Sequence, residues 1–215
     1  MTICSATSDQ RAAPVRIPAG IVALVDILKR IEREPYHWPV GRVMFQKIAY
    51  FATEAGVPTG LSYTKGSYGP YSESLKSRLA QLVNNGLVTE ERFGRMLTVK
   101  TGPTFADAER GYAEELQSFD EAADRIADLF ARMNTDQAEV AATVHFSAKV
   151  LRAQLGRVPT EMEILSSAEE WKVGRRPPID RGEFASAIRN LASLGWIQAQ
   201  ASEELSVPEE PPLGA

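Results

Sequence analysis

The chain has 215 residues, 44% of them apolar and 24% charged, with a net charge of −4. That composition suits one large or two small soluble domains. It contains no apolar run long enough for a helical membrane span, and its single cysteine, Cys4, excludes an internal disulfide.

A lone cysteine and a start without a continuous apolar core point to the reducing cytoplasm. His37 and His145 lie far apart, so no zinc spacing is present, and neither metal nor other cofactor is expected. Charge is unevenly spread: residues 1–100 carry a net +5, residues 101–172 a net −7 and residues 173–215 a net −2. A basic front and an acidic middle give an oriented surface charge.

Residues 1–19 are small, polar and broken by prolines, which reads as a flexible linker or tail. A first helix is expected over residues 21–34, with Ile21, Leu24, Val25, Leu28 and Ile31 on one face. A second is expected over 42–55, burying Val43, Met44, Ile48 and Phe51 and closing at Gly56 and Pro58. A short strand is expected near Leu61–Thr64, then a third helix over 70–84 started by Pro70 and stopped by "NNG". "LVTEER" and "RMLTVK" flank Phe93-Gly94 and predict a β-hairpin.

Further on, Tyr112, Leu116, Phe119, Ala123, Ile126, Phe130 and Met133 step by fours and threes, which predicts one long helix over 103–133. A helix over 135–155 starts at Asn134 and stops at Gly156. "PTEMEIL" carries a capping box, Thr160 with Glu163. A last helix is expected over 180–194, followed by a short strand over 196–199. The fold class is therefore mainly α. A winged-helix-like part over 20–101 carries small β-hairpins, a C-terminal helical part covers 102–200, and an acidic, proline-rich tail covers 201–215.

The stretch "SYTKGSYGPYS" over 62–72 could cradle a phosphate, stack on nucleic acid or simply turn the chain. It matches no phosphate-loop spacing, and Pro70 removes an N–H where one is needed. A turn into helix three, with Tyr63, Tyr68 and Tyr71 packed around it, is the reading the residues support. Tyrosine is also favoured at interfaces, so Tyr68 and Tyr71 are candidate partner-binding residues. Lys47, Lys65, Lys76 and Arg78 lie near this turn and offer a route to nucleic acid, although dense basic clustering is absent. No nucleophile motif occurs, and His145 in "AATVHFSAKV" reads as a core histidine, so no catalytic residue is assigned.

Asp107, Glu114, Glu121 and Asp128 recur every seven residues, with Asp120 and Asp124 between them. On one continuous helix that spacing rises about 10.5 Å per repeat, a scale on which carboxylates can imitate a phosphate row. Asp107, Glu114, Glu121, Asp124 and Asp128 are therefore candidates to fill a basic nucleic-acid groove on a partner, against the plainer reading of a solvated helix face.

The run "GRVMFQKIAYFATEAGVPTGLSYTKGSYGPYSESLKSRLAQLVNNGLVTEE" resembles the C-terminal antitoxin domain of the DarG family. "QKIAYF" followed by "YGP" is more distantly similar to the Panacea group of antitoxin domains. The resemblance continues through "GPTFADAERGYAEEL", "ADLFARMNTDQAEVAATVHFSA", "EEWKVGRRPPID" and "IRNLASLGW", covering roughly 38–212. It implies a non-catalytic protein that binds a DarT-type toxin, a DNA ADP-ribosyltransferase, and blocks its single-stranded DNA surface. Family members also carry an N-terminal macrodomain that removes ADP-ribose; no macrodomain is recognised in this stretch, so hydrolase activity is not implied. The alternative expectation is a winged-helix, DNA-binding transcriptional regulator.

Overall fold

The computed structural model describes residues 16–94, 96–203 and 205. Among these are nine helices and two antiparallel hairpins, so the mainly α class with small hairpins holds. The region before residue 16 and the tail from residue 206 lie outside the described residues.

Helix α1 (Ala19–Arg33) is buried without interruption from Gly20 to Leu28. A helix apolar nearly all round belongs in the middle of a core. Gly20 makes this possible at one crossing: a Cβ there would lie 2.2 Å from the Pro58 carbonyl oxygen. Helix α2 (Arg42–Glu54) buries Met44, Phe45, Lys47, Ile48, Tyr50 and Phe51.

Between α2 and α3 (Glu73–Asn84) stands a small hairpin, β1 (Thr64–Gly66) with β2 (Gly69–Tyr71). This corrects two expectations. The strand begins at Thr64 rather than Leu61, and Pro70 lies in β2, paired with Lys65, rather than at the start of α3. The cause is tertiary. The Pro70 carbonyl accepts a 2.8 Å bond from Lys47 on α2, which holds the residue in the strand. Gly69 precedes it at φ +88°, with a would-be Cβ 3.2 Å from Thr143 Oγ1 and 3.4 Å from Lys47 Nζ. Only glycine combines that backbone with that approach.

The second hairpin, β3 (Val88–Phe93) with β4 (Met96–Thr101), forms as expected, but its turn lies one residue later than Phe93-Gly94: Phe93 belongs to β3 and pairs with Met96. The chain entering α2 runs alongside it: the Val99 amide donates to the Val40 carbonyl at 2.7 Å.

The single long helix over 103–133 is also corrected. Its region forms α4 (Phe105–Gly111), α5 (Ala113–Gln117) and α6 (Asp120–Ala131). Breaks fall at Tyr112 and at Ser118–Phe119. Gly111 is a poor helix former, and the Ser118 hydroxyl donates to the Glu115 carbonyl at 2.5 Å, competing with the helical ladder. The apolar seam survives the breaks, with Leu116, Ala123, Ile126 and Phe130 buried.

Helix α7 (Thr135–Leu155) packs against α2, β2, α8 (Glu161–Lys172) and α9 (Arg181–Ser193). The three expected caps are in place. Asn134 forms a capping box with Gln137, Thr160 one with Glu163, and Gly156 ends α7 in the left-handed conformation. The expected strand over 196–199 is absent. The residue after that segment, Gln200, makes an isolated parallel bridge with Thr160. One core cluster runs from Ile17 to Leu205 across both the basic front and the helical remainder. No helix among the described residues is long and apolar enough to cross a membrane.

Candidate functional site

The β1–β2 hairpin, the centre of "SYTKGSYGPYS", is held by two lysines and a tryptophan. Lys47 donates to the Pro70 carbonyl, Lys172 to the Ser67 carbonyl at 2.7 Å, and the Trp171 indole to the Gly66 carbonyl at 3.1 Å. Three consecutive-region carbonyls of the turn are thus satisfied by α2 and α8. Lys172 also pairs with Glu139 of α7 at 2.7 Å, and Arg175 reaches both Glu139, at 3.3 Å, and Asp136, at 2.7 Å. Burial pulls the Lys47 ammonium down to about 7, and the nearby positive charge of Lys172 pulls the same way. Buried and bonded to the Pro70 carbonyl, Lys47 is not available to nucleic acid, which corrects its place among the basic residues that offered a route to it.

Above the turn, a groove of about 800 Å³ opens between α2 and α3. Val43, Leu75, Leu79 and Val83 supply apolar walls, and Arg42, Tyr68, Tyr71, Lys76 and Glu90 stand at its edges. The start of α3 is fixed to α2 by Gln46, whose amide donates to the Ser72 carbonyl at 3.0 Å and accepts from the Ser72 amide at 3.2 Å. Tyr68 and Tyr71 do not pack inward as the sequence suggested; they are 59% and 37% exposed at the groove. Tyr63 does pack, edge-on to Tyr50 with ring centroids 5.1 Å apart. Arg42 is spent on Glu90 through two bonds, of 2.5 and 2.6 Å.

The acidic candidates lie elsewhere, on α4, α5 and α6, and none of them lines this groove. Asp107 is tied to Arg110 and Asp124 to Arg30. Arg30 also holds Asp120 at 2.5 Å and Asp26 at 2.8 Å. Glu114, Glu121 and Asp128 remain exposed without an ion-pair partner among the described residues. Because two breaks interrupt the helix, the seven-residue spacing does not translate into one straight row. The surface instead presents two open carboxylates on α6 and one on α5.

His145 is a core residue, as expected. It is 8% exposed and shares a 2.8 Å hydrogen bond with the Tyr50 hydroxyl. Burial pulls its pKa down to about 4, assisted by the charge of Lys149 and opposed by a backbone hydrogen bond at Trp196.

The buried lysines escaped the sequence reading, although a signal existed. Lys47 falls in step with Met44, Ile48 and Phe51, on the apolar face of α2. A lysine there has to find an acceptor inside. Glu139 and Lys172 gave no comparable signal, because their pairing joins positions 33 residues apart.

No family model matches the chain. Over 115 residues it is 32% identical to a protein of Thermus aquaticus named DNA ADP-ribosyl glycohydrolase. The match covers 52% of this chain and 31% of that relative. The chain thus spans about a third of the relative it matches. The relative's name is that of an enzyme, which overturns the expectation of a non-catalytic protein.

Proposed function

We propose that this chain is the toxin-binding part of a DarG-type antitoxin. It binds a DarT-type DNA ADP-ribosyltransferase and occupies the toxin's single-stranded DNA surface, with carboxylates standing where phosphates would lie. Two things support this reading. One is the similarity to a protein named for removing ADP-ribose from DNA. The other is the open carboxylate set Glu114, Glu121 and Asp128, which carries the mimicry because no internal cation among the described residues neutralises it. Asp124 and Asp107 belong to the same surface but are already engaged by Arg30 and Arg110. Carboxylates facing Lys and Arg in place of phosphates make charge-assisted hydrogen bonds of the same kind.

The test titrates the chain into purified cognate toxin with NAD and single-stranded DNA. Loss of DNA modification at one-to-one stoichiometry is the expected result. Undiminished modification at excess chain overturns the proposal.

A second reading is favoured by the relative's name: the chain takes part in releasing ADP-ribose from DNA. Pre-modified DNA incubated with the chain alone tests it, with free ADP-ribose as the readout. The two assays are independent, so either reading stands or falls by itself.

A further inference from the structure

We infer that the groove between α2 and α3 seats a segment of the toxin that carries apolar side chains together with an Asp or Glu. This rests on the toxin-binding reading and adds a second contact, remote in sequence from the acidic surface of α4–α6. The groove measures about 800 Å³ and has apolar walls from two helices, Val43 on one side and Leu75, Leu79 and Val83 on the other. A trough between two helices with such walls is the kind that accepts an amphipathic segment.

The charge at the groove is complementary to an acid. Glu90 is consumed by Arg42. Lys76 is exposed and has no carboxylate within ion-pair distance among the described residues, so the lining keeps one open positive charge. Tyr68 stands at the edge 59% exposed, in the position of an aromatic anchor that loses little freedom on binding. The trough is rigid where it matters: Gln46 bridges α2 to the start of α3, and the buried lysines hold the turn that carries Tyr68. A preorganised surface loses less on association.

The experiment measures toxin affinity by calorimetry for the wild-type chain and for two variants, with sedimentation of the free chain alongside. Ala80 is exposed on α3 and lines the groove, so Ala80→Trp fills the groove without entering the core. Lys76→Glu reverses the open cation. Each variant is expected to weaken toxin binding about tenfold or more, the loss of an interface anchor, with an unchanged circular dichroism spectrum. Affinities of both variants within about twofold of wild type overturn the inference and leave the antitoxin reading intact. Absence of toxin binding by the wild-type chain overturns the antitoxin reading and the inference together. A wild-type dimer that Lys76→Glu converts to monomer places a second copy in the groove, and this too overturns the inference.

Discussion

Lys172 donates to Glu139 across 2.7 Å, and both side chains are only 2% exposed. The pair joins the end of α8 to the first half of α7, and the same ammonium holds the Ser67 carbonyl of the β1–β2 turn. Breaking a buried pair from one side leaves an uncompensated charge, so Lys172→Met is expected to cost about 3–5 kcal/mol in urea unfolding. Glu139→Gln together with Lys172→Met is expected to recover most of that loss. A single-variant cost below about 1 kcal/mol would show that Arg175 alone satisfies Glu139.

Lys47 imposes a pH dependence of known sign. Its folded-state pKa of about 7 lies below the ordinary 10.5, so the unfolded chain binds this proton more tightly. The resulting cost is complete below pH 7 and fades as pH rises toward 10.5. Between pH 7 and 9 the wild type is expected to gain stability with a slope approaching about 1.4 kcal/mol per pH unit from this group. Lys47→Met is expected to be flatter over that range. Parallel curves for the two proteins, from urea midpoints at several pH values, would contradict this.

His145 acts at lower pH. Its pKa falls from 6.5 to about 4 on folding, so the unfolded state again takes the proton first. Its contribution is intact above pH 6.5 and is lost as pH falls toward 4, amounting to about 3 kcal/mol in all. His145→Phe is expected to flatten the acid limb of the stability curve, and also to cost stability at neutral pH by leaving the Tyr50 hydroxyl without its partner. Identical acid limbs in thermal melts at pH 4.5 and 7 would refute the assignment.

The acidic surface divides into open and occupied members. Glu121→Lys combined with Asp128→Lys is expected to slow toxin association about tenfold at low salt, with the difference vanishing near 1 M salt. Asp124→Ala is expected to leave association nearly unchanged, because Arg30 already holds that carboxylate. Stopped-flow mixing at two salt concentrations separates these outcomes. Equal losses from both changes would mean that Arg30 releases Asp124 to the toxin.

Local features of this chain were legible in the sequence. The helix caps at Asn134, Thr160 and Gly156, the β3–β4 hairpin about Gly94 and the apolar seam from Leu116 to Phe130 all appear where the residues place them. Each depends on groups within a few positions of one another, and a short window of sequence holds all the atoms involved. The resemblance to an antitoxin family was likewise carried by the order of residues, and the similarity to the Thermus aquaticus protein agrees with it in part.

What failed was decided at a distance. Pro70 has the local credentials of a helix start, yet a lysine 23 residues earlier claims its carbonyl and keeps it in a strand. The carboxylates from Asp107 to Asp128 have a regular spacing, yet Arg30 from α1 engages Asp120 and Asp124, and two helix breaks interrupt the row. The α2–α3 groove has no linear signature at all, since its walls come from separate helices and its edge from a hairpin between them. The sequence by itself determined which residues would be apolar, capped or charged. The tertiary structure alone decided which charges stay open to a partner, because neutralising a charge requires another chain segment to arrive within about 4 Å.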